Sequence, residues 1–158
     1  MNDITNALFA AARAGNVPVL QEIFKLKENL DVQDERGYTP LIIAAYNRQP
    51  LAVKALLDAG AHVDATDHSG NTALMGACFK GYPEIAELLI QYGANLNAQH
   101  GNGGTALMFA AMFGRNDLVK LMKDKGADST VTEMRGLTAL DLALQQNNLE
   151  GANLLKAE

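Results

Sequence analysis

One period governs this chain. Thr39, Thr72, Thr105 and Thr138 stand 33 residues apart. Each has a glycine two positions before it (Gly37, Gly70, Gly103, Gly136) and a leucine two positions after it (Leu41, Leu74, Leu107, Leu140). Small pairs follow, Ala44-Ala45, Ala77-Cys78 and Ala110-Ala111, and then Leu56-Leu57, Leu88-Leu89 and Leu121-Met122. The units close with GAHVDATD, GANLNAQH and GADSTVTE. Self-similarity at a fixed period of this size means a stack of like supersecondary units, none of which buries its apolar face alone. With 158 residues, 48% of them apolar and 20% charged, the chain is long enough and apolar enough to bury a substantial core.

Each recurring position has a physical task. The threonine caps a helix N-terminus, and Pro40 follows where a missing N–H costs nothing. The small pair lets neighbouring helices approach closely, and the paired leucines supply the buried stripe of a second helix. Gly60, Gly93 and Gly126 end those second helices, where a left-handed residue is wanted, while Pro50 and Pro83 suit their first turns. Asp-, Asn- and Gly-rich stretches between units read as tight turns. Each unit is therefore helix, turn, helix, then a hairpin-like loop, with loop tips expected near Glu35–Tyr38, His68–Asn71, Gly101–Gly104 and Met134–Leu137. The expectation is ten helices in five antiparallel pairs and no sheet.

The segments GYTPLIIAAYNR, GNTALMGACFKG, GGTALMFAAMFG and GLTALDLALQQN resemble the ankyrin repeat, G-x-T-P-L-H-x-A-A-x-x-G. An N-terminal unit, NALFAAARAGNVPVLQEI, continues the register without the Gly-x-Thr signal. The resemblance implies an all-α ankyrin-repeat solenoid of five helix-turn-helix repeats, near 1–33, 34–66, 67–99, 100–132 and 133–158, forming one domain. The segment ACFKGY is further similar to small bacterial ankyrin proteins. Where the family has histidine after Thr-Pro-Leu, this chain has Ile42, Met75, Met108 and Asp141, and Ala73, Ala106 and Ala139 replace the proline. That histidine helps to hydrogen-bond neighbouring loops in the family, so the loops here are expected to lean more on apolar packing. Polar residues at both ends (Gln21, Glu22, Lys25, Lys27 and Glu28; Gln145, Gln146, Asn147, Asn148, Glu150, Asn153 and Lys156) read as caps, leaving no attached catalytic or effector domain in the expected architecture.

Chemistry is sparse. Thirteen Lys and Arg against eighteen Asp and Glu leave a net charge of −5, which speaks against nucleic acid as a partner. Cys78 is the single cysteine, so no internal disulfide forms, and its equivalents Ala45, Ala111 and Leu144 place it at a buried helix contact rather than in a nucleophile's setting. The N-terminus has no basic region, and its apolar run stops at Arg13, too short for a signal peptide or a membrane span. The expectation is a cytoplasmic monomer, not an enzyme, with no cofactor and no metal. His62, His68 and His100 lie in loops, too far apart for a metal site. HGNGGT lacks a phosphate loop's lysine and reads as a flexible tip. Arg115, Lys120, Lys123 and Lys125 read as a solvated face. Asp31, Asp34, Asp64 and Asp67 read as loop-stabilising Asx turns.

Phe79 breaks the pattern. At 100° per residue Leu74, Ala77, Cys78 and Gly81 share one face of their helix, and Phe79 points nearly the opposite way. The sets sharing that side are Ile43/Tyr46/Asn47, Gly76/Phe79/Lys80, Phe109/Met112/Phe113 and Leu142/Gln145/Gln146. In a stacked array they line the concave side that ankyrin proteins commonly use for partners. Two readings stand. Either the row Tyr46, Phe79, Met112 is exposed and contacts a partner, or it lies down between repeats as core filler. The candidate partner-binding residues are Tyr46, Asn47, Phe79, Lys80, Phe109, Met112 and Phe113 on the helices, with Arg36, Tyr38, His68 and Asn71 at the loop tips. The partner class implied is an unidentified protein held by a non-enzymatic interaction module; the alternative is a regulatory or accessory subunit of an enzyme.

Overall fold

The computed structural model describes residues 2–156, and among these residues there are ten helices and no strand. They are α1 (Asp3–Ala14), α2 (Val17–Phe24), α3 (Pro40–Tyr46), α4 (Pro50–Asp58), α5 (Ala73–Lys80), α6 (Pro83–Gln91), α7 (Ala106–Met112), α8 (Asn116–Asp124), α9 (Ala139–Gln145) and α10 (Leu149–Lys156). Odd-numbered helices pack on one another in chain order, α1 on α3 on α5 on α7 on α9. Even-numbered helices form a second layer, and each is joined to its odd partner by a short turn. This is an all-α repeat solenoid.

The threonines act as read. Thr39, Thr72, Thr105 and Thr138 accept hydrogen bonds from the backbone N–H three residues on, those of Ile42, Met75, Met108 and Asp141. Asp141 also closes a reciprocal cap, its carboxylate accepting from the Thr138 N–H at 3.0 Å. The leucines after the caps (Leu41, Leu74, Leu107) are 1% exposed, and both members of each small pair are fully buried. Leu144, read as the last member of the Cys78 series, is 46% exposed, because no further helix pair stacks on α9 and α10 among the described residues. Leu149 is exposed there too, so this end is not uniformly polar.

The loop tips fall where the period places them. In all four, a backbone pair closes the hairpin, Asp34 with Tyr38, Asp67 with Asn71, His100 with Gly104 and Glu133 with Leu137. The expectation that apolar packing holds these loops is corrected by a polar lattice at repeat spacing. Asp31, Asp64 and Asn97 accept from the backbone N–H of His62, Asn95 and Asp128 in the next unit. The Gln33 and Gln99 side chains each donate to a carbonyl of their own hairpin, Gly37 and Gly103, and to one of the next unit, Thr66 and Thr132. Backbone bonds from His68 to Arg36, Gly101 to Ser69 and Met134 to Asn102 link successive tips. At Gly37 the close approach is extreme: φ is +83° and an added Cβ would lie 2.5 Å from the His68 backbone nitrogen. The hairpins thus form one hydrogen-bonded edge along the array.

Candidate functional site

The odd-numbered helices and the hairpins form the side expected to be concave, and an aromatic cluster lies on it. The Tyr46 and Phe79 rings stack with centroids 6.3 Å apart and planes 11° from parallel. Phe113 meets Phe79 edge-on at 4.7 Å, and Phe109 does so at 6.4 Å. Tyr46 is 43% exposed and Phe113 44%. Phe79 and Met112, which the interface reading would leave substantially exposed and the filler reading would bury, are half-buried. The reason is geometric. The ring that meets Phe79 most closely belongs to Phe113, one residue past the 33-residue equivalent Met112, so the cluster runs diagonally and covers part of Phe79.

Phe79 is therefore neither a free surface ring nor core. Truncation to alanine is expected to cost about 1–2 kcal/mol, between the ~0.5 of surface sites and the ~3–5 of a buried phenylalanine. A urea titration of Phe79→Ala measures it, and a loss at either extreme would contradict this placement.

A groove of about 460 Å³ gathers many of the candidates: Arg36, Tyr38, Tyr46, Asn47, Asn71, Phe79 and Phe109. Lys80 stands beside it, its ammonium 4.9 Å above the Tyr46 ring. Asn47 donates to the Ile43 carbonyl, and Asn71 donates to the Asp67 carboxylate. Met112 belongs instead to a second hollow of about 250 Å³, shared with His100 and Phe109. The His100 ring lies 5.3 Å from Phe109, over Gly104, where a Cβ would meet its Nε2 at 2.7 Å. HGNGGT is thus a packed tip rather than a loose one. His68 is exposed on its hairpin and lines neither hollow.

Sequence reasoning passed over Ile42, Met75 and Asp67, which also line the groove, and gave Gly76 no role of its own. Asp67 accepts from the backbone of Ser69 and Asn71, which confirms the Asx-turn reading. Gly76 carried a readable signal, since it is the one glycine in a series of Ile43, Phe109 and Leu142.

Charge is distributed unevenly. Away from the groove, Arg48 donates to Glu84 at 2.7 Å and also lies 4.9 Å from the Tyr82 ring. That bond raises the Arg48 pKa and lowers the Glu84 pKa. Lys54–Asp58 and Lys120–Asp124 pair along helices of the second layer, and Tyr92 donates to Asp58, which raises the tyrosine's pKa. Arg115 donates to the Phe79 carbonyl at 3.2 Å. Cys78 is fully buried, and desolvation, with a smaller contribution from Asp117, pushes its pKa up to about 12, the opposite of an activated thiol. Among the described residues no three His, Cys, Asp or Glu side chains converge as metal ligands, and no helix is long and apolar enough to cross a membrane.

The family model described as ankyrin repeats (three copies) matches residues 8–100 and, again, 94–158. Over 62 residues the chain is 40% identical to the BTB/POZ domain and ankyrin repeat-containing protein NPR2 of Oryza sativa subsp. japonica, covering 39% of this chain and 10% of that protein. Over 57 residues it is 37% identical to the human Ankyrin repeat and SOCS box protein 3, covering 36% of this chain and 11% of that protein. The chain thus matches about a tenth of the length of these relatives, which are plant and human and lend no support to a bacterial likeness.

Proposed function

Because this chain belongs to the ankyrin-repeat family, whose repeats are general protein–protein interaction modules, we propose that it is a non-enzymatic module holding one face of a partner protein against its concave side and hairpin tips. It acts by occlusion or scaffolding, as a cytoplasmic monomer, and takes no nucleic acid. The observation that carries the reading is the aromatic cluster, in which Tyr46 and Phe113 keep more than 40% of their surface in water while packed against Phe79. Rigid aromatic rings with exposed faces are favoured at the centres of interfaces. The hydrogen-bonded hairpin edge supports the same reading, since it holds the tips in fixed register beside the cluster and lowers the entropy lost on docking.

The test compares the wild-type chain with a Tyr46→Ala/Phe113→Ala double variant as bait in the native lysate. Each captured protein is then purified and titrated directly against both. A partner that binds wild type and loses about 2 kcal/mol or more with the variant supports the reading. Partners that bind both equally, or none that binds directly, would overturn it.

A further inference from the structure

At the position that each of the last four repeats points toward the concave side nearest its hairpin, the chain carries Ile43, Gly76, Phe109 and Leu142. Ile43 and Leu142 are almost wholly buried and Phe109 is half-buried, so the position is ordinarily filled. Gly76 leaves it empty. Glycine in a helix interior is destabilising relative to alanine. The backbone does not demand it here, because φ at Gly76 is not positive, and an added Cβ would touch only the Tyr46 ring, at 3.3 Å. What the glycine creates is space. The groove of about 460 Å³ lies over it, walled by Ile43, Tyr46, Phe79 and Phe109, and this volume suits a large side chain with its flanking backbone.

Charge around the groove leans positive, with Arg36 in its lining and Lys80 beside it against the single carboxylate of Asp67. Helices α3, α5 and α7 carry a single charged side chain between them, Lys80, and Arg36 lines the groove from its hairpin. Neither cation makes an ion pair among the described residues, whereas Lys25, Arg48, Lys54, Lys120 and Arg135 all do. The one carboxylate that lines the groove, Asp67, is engaged by the backbone of Ser69 and Asn71 and by the Asn71 amide. An apolar hollow flanked by unpaired cations is complementary to an apolar side chain flanked by carboxylates, even though the chain as a whole is acidic.

We propose that the groove opened by Gly76 docks an extended acidic segment of a partner protein. The segment inserts one large apolar side chain between Tyr46, Phe79 and Phe109 and sets carboxylates against Arg36 and Lys80. This rests on the reading of the concave side as the interaction surface, and narrows it to one groove and one ligand chemistry.

The experiment is selection of a phage-displayed random 12-residue peptide library on the full chain, followed by fluorescence titration of the enriched peptides made synthetically. Enrichment of acidic peptides with one recurring large apolar residue is the expected result. Basic or wholly polar peptides, or no enrichment, would overturn the proposal. Gly76→Leu fills the hollow as Ile43 and Leu142 fill theirs, and is expected to weaken binding by about tenfold or more. Gly76→Ala is the milder variant; it narrows the hollow while favouring the helix, so weaker binding with an unchanged or higher urea midpoint separates docking from folding. Lys80→Glu is expected to weaken the acidic peptides by about tenfold, an effect that shrinks in high salt, and to be rescued by peptides with lysine in place of the acids. Peptides that lose affinity with Tyr46→Ala/Phe113→Ala but not with either Gly76 variant would refute the groove and leave the concave-face reading standing. Peptides indifferent to all of these variants would refute both.

Discussion

Native Cys78 is expected to react with a thiol reagent no faster than the fold opens, and to release its proton only far above neutral pH. Its side chain is fully buried, and removal from water raises its pKa from 9.0 to about 12. Three pH units lower the thiolate fraction of the closed state about a thousandfold at neutral pH, and burial bars the reagent as well. Labelling should therefore track denaturant-induced opening, and fast stoichiometric labelling of the folded protein would place the thiol elsewhere. The same shift predicts a pH dependence of stability. The folded-state pKa lies above the unfolded one, so between pH 9 and 12 the folded chain keeps a proton that the unfolded chain has lost. Stability from this group is then fully present below pH 9 and declines by up to about 1.4 kcal/mol per pH unit above it. The Tyr92 pKa is raised too, by its hydrogen bond to Asp58, so the comparison that isolates the thiol is with Cys78→Ala, the residue found at the equivalent Ala45 and Ala111. The gap between the two urea midpoints should shift against wild type from pH 8.5 to 10.5; a constant gap would refute the linkage.

The period made the fold legible because its signals are local. A threonine cap, a buried leucine two positions on and a small pair one turn later each act within a single helix. The loop lattice was not legible in the same way. Asp31 and Asp64 read as local Asx turns, and Asn97 drew no reading, but all three accept from backbone N–H groups 31 residues away, and only the stacking of repeats brings the two together. The site shows the same division. Helical geometry alone assigns Tyr46, Asn47 and Phe79 to one side, and all three line the groove. The row at 33-residue spacing divides at its third member: Phe113, which caps α7, meets Phe79 edge-on, and Met112 lines the second hollow. Gly76 was legible as an exception to its series, but an absent side chain becomes a hollow only once the walls around it are known.

The small pairs set the repeat spacing, and that yields the second large effect. Ala111 lies on α7, which packs against α5, α8 and α9, and its side chain is fully buried. Its carbonyl also accepts from the Asn148 side chain at 2.9 Å, tying it to the turn before α10. Ala111→Leu drives three more carbons into this contact, where close-packed neighbours have little room to yield. Overpacking of this kind costs about 2–3 kcal/mol, or roughly a 30- to 150-fold shift in the unfolding equilibrium. The same side chain already occurs at the equivalent position of the last unit, where Leu144 is 46% exposed and has no further repeat upon it. Leucine is therefore excluded at Ala111 by stacking rather than by the helix itself. Leu144→Ala should accordingly change stability by less than about 1 kcal/mol, as at other largely exposed sites. Urea titrations of the two variants test both halves together. If Ala111→Leu leaves the midpoint unchanged, the alanine pair does not set the distance between repeats, and the spacing must come instead from the hydrogen-bonded hairpin edge, where variants of Asp64 and Gln99 would then carry the larger cost.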